Sequence, residues 1–180
     1  KGFETTIRYS HEERGDFRFF AEASLWYFKN KVVYSSESLQ LYNYLYQTGR
    51  PIGQPFGLVA LGFFKDQPDI DASPKQHWTS VKPGDVKYKD QNGDDLIDQR
   101  DIYPIGKTGL PNFSAGLHVG ARYKGFDLDV FFQGVTGRTV YLSGLTVEAF
   151  QNNGKISAIA QNRWTPATAE TASYPRLSSA

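Results

Sequence analysis

Cysteine and methionine are both absent from the 180 residues. Without cysteine there is no disulfide framework, no thiolate metal site and no cysteine nucleophile. A chain that opens on Lys1 and holds no methionine is expected to be a piece, or a processed form, of a longer product. No run of about 18 apolar residues occurs, so no transmembrane helix is expected. No signal-peptide pattern occurs in these residues, which says nothing of what precedes Lys1. Neither sign of charge prevails: 20 Lys and Arg stand against 19 Asp and Glu. That balance gives no reason to expect nucleic acid or an acidic polymer as partner. The three histidines, His11, His77 and His118, fall in no metal or triad spacing. Asp127 and Asp129 share a strand face, as a glycosidase pair would, but alternation makes such pairs common by chance. The chain is therefore not read as an enzyme.

What is present in excess is aromatic. Phe, Tyr and Trp make up 15% of a chain whose mean hydropathy is negative. Large aromatic clefts produce such a composition, and so do the aromatic girdles of outer-membrane barrels. The order of the residues is more telling. Phe3, Thr5, Ile7 and Tyr9 alternate with Glu4, Thr6, Arg8 and Ser10. After a polar connector over His11 to Asp16, Phe17, Phe19, Ala21, Ala23, Leu25 and Tyr27 share a face. Arg18, Glu22, Ser24 and Asn30 share the other, with Phe20, Trp26 and Phe28 among them. The pattern returns at Phe113, Ala115, Leu117, Val119, Ala121 and Tyr123, and after Lys124-Gly125 at Phe126, Leu128, Val130 and Phe132. Period-two alternation of this kind predicts strands.

Two architectures share the pattern. One is an antiparallel sheet with one face on a core and one in water. The other is a transmembrane β-barrel, with lipid on one side and a wet lumen on the other. Two details favour the barrel: aromatics stand at the strand ends, and the connectors alternate between very short and very long. The segments run about 9 to 13 residues, the reach of a tilted strand across a bilayer. The expected fold class is all-β, an antiparallel barrel segment of two long hairpins with long extracellular loops. Its divisions are a hairpin over 1–34, a loop over 35–112, a hairpin over 113–135 and an incomplete loop over 136–180. The short turns at 11–16 and 124–125 would face the periplasm. Loops as long as the other two are expected to carry local structure: short helices within Ser38–Tyr46 and Gly154–Gln161, and a strand within Gly57–Phe64.

Inside the longer loop lies an acidic run from Asp90 to Asp101. With Asp90 as position 1, Asp90, Asn92, Asp94, Asp98 and Asp101 occupy positions 1, 3, 5, 9 and 12. Leu96 at position 7 would offer its carbonyl, and Ile97 would anchor the loop by packing. Calcium takes six to eight oxygens, and this spacing wraps a short chain around one ion. Asp95 stands where such loops carry glycine, and no helical pattern flanks the run, so a full EF-hand is not expected. The competing reading is a solvated turn held by Asx bonds. A calcium ion, if held, would stiffen the loop. Tyr42, Tyr44, Tyr46, Trp78, Tyr141, Phe150 and Trp164 also lie in the loops, where flat rings stack on sugars or bury against a partner. Local packing is the competing use for each.

Several of these segments together resemble one family. Gly53-Gln54-Pro55-Phe56-Gly57 leading to Leu61-Gly62-Phe63-Phe64 is one. Pro83-Gly84-Asp85-Val86-Lys87-Tyr88-Lys89-Asp90, running into the acidic loop, is another. Pro104-Ile105-Gly106, Tyr123-Lys124-Gly125-Phe126, Phe132-Gln133-Gly134, Arg163-Trp164-Thr165-Pro166 and Tyr174-Pro175-Arg176-Leu177 follow in order. This succession resembles the SusC/RagA-type TonB-linked outer-membrane proteins of the Bacteroidetes. The resemblance implies a barrel of roughly 22 strands with a plugged lumen, set in outer-membrane lipid. It implies import of oligosaccharides or peptides, a SusD-like surface lipoprotein as partner, and TonB acting through parts of the protein not in this chain. Asp95 departs from the glycine usual there, which bears on the ion site. The alternative is a secreted, calcium-stabilised β-sandwich that binds carbohydrate, with the apolar strand faces buried between two sheets.

Overall fold

The computed structural model describes every residue except Glu13, Arg14, Thr79, Ser179 and Ala180, and omits the side chains of Glu12 and Asn153. In chain order the strands are β1 (Gly2–Glu12), β2 (Phe17–Phe28), β3 (Phe56–Gly57), β4 (Ala60–Phe63), β5 (Lys75–Gln76), β6 (Val86–Tyr88), β7 (Leu96–Ile97), β8 (Tyr103–Pro104), β9 (Phe113–Tyr123) and β10 (Phe126–Thr136). Among the described residues the one α-helix, α1, is Gln67–Asp71. Among the described residues no helix is long and apolar enough to cross a membrane.

The chain divides into two units. The first, residues 1–36, 47–54 and 106–140, holds a four-stranded antiparallel sheet in the order β1-β2-β9-β10. Its strands are 11 or 12 residues long, about twice the common globular length. Each hairpin is in simple register, Ile7 opposite Ala23 and Val119 opposite Val130. The seam between them is β2 on β9, with Ala23 opposite Leu117. Lys124 and Gly125 both take positive φ, 46° and 85°, as a two-residue hairpin turn requires. The first connector is shorter than expected because β1 runs on to Glu12; its Glu13 and Arg14 lie outside the described residues.

The register sorts side chains onto two faces. One carries Ile7, Leu117, Leu128 and Phe132 and no charge. Ile7, Leu128 and Phe132 are each more than 60% exposed. The sandwich alternative is therefore corrected: among the described residues the strands outside this sheet form only three two-stranded ladders, not the second large sheet that a sandwich needs. At the ends of the apolar band, cross-strand neighbours bring Phe3 against Tyr27 at 5.9 Å and Phe17 against Tyr123 at 6.5 Å. Eleven residues at ~3.4 Å each reach about 35 Å along the strand, which at a barrel's usual tilt of about 45° would cover an apolar band of roughly 25 Å. The opposite face carries ion pairs across neighbouring strands, Arg8 with Glu22 and Arg122 with Asp127, and a hydrogen bond between His118 and Asp129 at 3.0 Å. Gly120 lies beneath the Phe20 ring, in space that a Cβ would share with it.

The second unit, residues 37–46, 55–105 and 141–180, has the buried core. Ladders β3–β8, β4–β6 and the parallel β5–β7 lie among short helical turns. The expected short helices are present as 3-10 turns, Asn43–Leu45 and Ala158–Asn162, and the expected strand as β4. Helix α1 begins on Asp66, whose carboxylate accepts from Asp69 N, with Pro68 in the first turn. Phe64, Ile97 and Ala160 are about 1% exposed.

Candidate functional site

The acidic run is wound tightly by its own side chains. The Asp90 carboxylate accepts from the amides of Asn92, Gly93 and Asp95 at 3.1, 2.6 and 2.9 Å. Asn92 accepts from Asp94 N, and Asp94 from Leu96 N. Burial alone would raise the Asp90 carboxyl, but these amide donors hold it below the ordinary carboxylate range. The bend falls at Gly93 and Asp95, with φ of 77° and 60°. Asp95 thus adopts the left-handed conformation for which such loops use glycine, a conformation that Asp tolerates better than most residues.

The second half of the loop closes on Asp101, which is fully buried. Its oxygens accept from Gln91 N at 2.7 Å and Asp98 N at 2.8 Å, while Asp98 accepts from Arg100 N. Asp98 and Asp101 together make a capping box for the turn Gln99–Asp101. Ile97 fills the core beside this turn. Arg100, which the sequence reading passed over, folds back on the loop. It lies 2.9 Å from Asp94 and 2.7 Å from Asp98. Its hydrogen bond to Asp98, with its charge, holds that carboxyl below its ordinary range.

Calcium suits this loop in donor chemistry, since oxygen side chains stand at alternate positions, and in backbone, since the required bends are made. Arg100, however, occupies the positive position against Asp94 and Asp98. Among the described residues no three acidic or histidine side chains surround one point. Leu96 contributes to β7, half-exposed.

Beside the loop lie three tyrosines. Tyr42 and Tyr44 stack at 5.2 Å with planes 6° apart, and Tyr103 leans on Tyr44 at 5.6 Å. The Tyr44 hydroxyl donates to Arg100 O at 2.7 Å. Burial first, then the Asp101 charge, raises the Tyr44 phenol. The Tyr46 hydroxyl accepts from Gln40 N. Trp78, Tyr141 and Phe150 are exposed, Tyr141 at 86%. Trp164 is not a surface ring. It is 9% exposed and lies over Gly84, where a Cβ would meet the indole at 2.5 Å. Arg176 reaches the same place and pairs with Asp85 at 2.6 Å, and Trp164 N donates to Tyr174 O at 2.7 Å. The segments around Gly84, Trp164 and Arg176, far apart in sequence, thus form one knot that the sequence alone did not join.

With fold and loop in place, comparison with known proteins is informative. No family model matches the chain. The TonB-dependent receptor P26 of Formosa agariphila is 35% identical over 122 residues, 67% of this chain. The chain spans 12% of that relative's length. Among solved structures, the RagAB peptide transporter aligns with 98% of the chain and 19% of its own, at TM-score 0.65 and 18% identity. The RagAB peptide importer in its open-open and closed-closed states aligns at TM-scores of 0.61 and 0.62, with 18% and 19% identity, over 99% and 98% of the chain and 19% of each importer chain. The fold is that of an outer-membrane β-barrel wall with its connecting loops. The chain is a SusC/RagA-like segment of the TonB-dependent receptor kind, located in the bacterial outer membrane.

Proposed function

We propose that this chain supplies four neighbouring staves, and the loops between them, to a TonB-dependent transporter that imports oligosaccharides or peptides. The carrying observation is the four-stranded sheet of 11- and 12-residue strands with one uncharged, exposed face and an aromatic pair at each end. Such a face is stable against acyl chains and not in water. Four strands leave two open edges, which lipid does not tolerate, so further strands must flank β1 and β10. Because β2 and β9 pair directly, 35–112 begins and ends at one end of the sheet. We assign that end, and the start of 136–180, to the cell surface, and the two tight turns to the periplasm. The role is transport rather than catalysis, with TonB acting on parts of the protein outside this stretch.

The SusD-like lipoprotein partner rests on the family resemblance and on the likeness to RagAB. Tyr42, Tyr44, Tyr46, Trp78, Tyr141 and Phe150 are offered as substrate or partner contacts, the exposed rings first. Calcium is proposed at Asp90, Asn92, Asp94, Leu96, Asp98 and Asp101, taking over from Arg100 the neutralising of Asp94 and Asp98. Added calcium should then protect the loop from protease, and a chelator should reverse the protection. Equal cleavage under both conditions removes calcium from the account. For the transport reading, the full-length protein should extract from membranes only with detergent and co-purify with a lipoprotein. Recovery as a soluble monomer would overturn it.

A further inference from the structure

The balanced charge of the whole chain conceals a local segregation. The connecting segments of the sheet unit, 29–36, 47–54, 106–112 and 137–140, carry Lys29, Lys31, Arg50, Lys107 and Arg138 and no Asp or Glu. All lie at the end of the sheet opposite the Lys124-Gly125 turn. There a cleft of about 200 Å³ opens, lined by Lys29, Lys107, Asn30, Gln54, Thr108 and Asn112 among others, with no carboxylate on its walls.

The walls are tied in place. Asn30 Oδ1 accepts from Ile52 N at 2.7 Å, and Val32 N donates to Arg50 O at 2.8 Å, fixing the 47–54 turn. Thr139 Oγ1 accepts from Lys107 N at 2.7 Å, and Thr139 N donates to Thr108 O. Gly137 has φ of 79°, and a Cβ there would fall on the Asn112 carboxamide. Glycine at 137 thus leaves room for the Asn112 carboxamide on the cleft wall.

We propose that this cleft binds an anionic group, a sulfate, phosphate or carboxylate, carried on a polyhydroxylated chain. Two ammonium groups with no opposing carboxylate favour an anion. The carboxamides and the threonine hydroxyl suit neighbouring sugar hydroxyls. The substrate-side version of this proposal rests on the uptake reading; the anion site itself does not.

The test uses the full-length protein in detergent, a sulfated oligosaccharide and its desulfated counterpart, with binding measured by calorimetry. The sulfated probe should bind about tenfold tighter at low salt, with the preference shrinking as salt screens the lysines. Lys29→Gln with Lys107→Gln should abolish the preference. Lys29→Arg with Lys107→Arg should keep it, as should Lys65→Gln, whose lysine pairs with Glu170 in the other unit. Displacement of the sulfated probe by a phosphorylated glycolipid, through the same two lysines, would support the site and make lipid its occupant. Equal binding of both probes, or a preference that survives the double glutamine variant, would overturn it. A protein that co-purifies with its lipoprotein yet binds both probes equally defeats the cleft and leaves the transport reading intact.

Discussion

The two units of this chain stabilise themselves in opposite ways. In the sheet unit the long strands satisfy their backbone groups with each other and leave the apolar side chains outside, Ile7, Leu128 and Phe132 among them. In the loop unit the ladders are two to four residues long, and the side chains carry the load: Phe64, Ile97 and Asp101 are sealed in. The first unit depends on a surrounding solvent that is not water. The second has its own interior and takes its shape from buried polar bonds. Where stability resides in each can therefore be tested by residues of the same kind placed in each setting.

The largest effect is expected at Asp101→Ala, which leaves the amides of Gln91 and Asp98 without their acceptors. Each lost bond to a buried group costs roughly 1–3 kcal/mol, and thermal unfolding of the full-length protein should show a drop of that order or more. Next is Leu117→Lys, in the middle of β9 on the uncharged face. It should cost about 2–4 kcal/mol in denaturant titrations in bilayers, whereas Gln133→Lys on the other face should cost under ~0.5. Equal costs for the two would break the assignment of faces. Gly84→Ala should lose about 1–3 kcal/mol by driving a methyl into Trp164 at a φ of 88°, and Trp164 fluorescence should shift with it. In the other direction, Asp95→Gly should raise stability by ~0.5–1 kcal/mol, since glycine adopts a φ of 60° without strain. The smallest effect concerns pH. Asp69, Asp90 and Asp98 have folded pKa values below their unfolded ones; Lys87 lowers that of Asp69 and Arg100 that of Asp98. Their contribution is complete above the unfolded carboxylate pKa of about 4 and is lost as pH falls through the lower folded values. Thermal stability of the wild type should therefore decline below about pH 4, and less so in Arg100→Gln.

The same contrast explains what the sequence made legible. The alternation from Phe3 to Tyr9 and from Phe113 to Phe132 is long enough to dictate strands, faces and hairpins, and Lys124-Gly125 marks its own turn. The loop unit is different because its determinants are non-local. Nothing around Trp164 says that it will be covered, since the glycine beneath it is Gly84. Nothing around Arg176 names Asp85 as its partner. The acidic run was visible as a motif, yet its built-in cation, Arg100, was not, because the oxygen spacing drew attention to the ligands alone. The lysines of the cleft were hidden by a whole-chain charge near zero.

The β2–β9 seam has a consequence for how such proteins diversify. Phe28 and Phe113 stand at the same end of the seam, so the chain leaves and returns at one end of the sheet, and of the residues between them 55–105 belong to the second unit. The entropic penalty of closing a connection grows only logarithmically, about 0.6 kcal/mol for each doubling of its length. Residues 55–105, which belong to the second unit, can therefore lengthen or shrink at little entropic cost to the staves, whereas 29–36, 47–54 and 106–112 belong to the sheet unit itself.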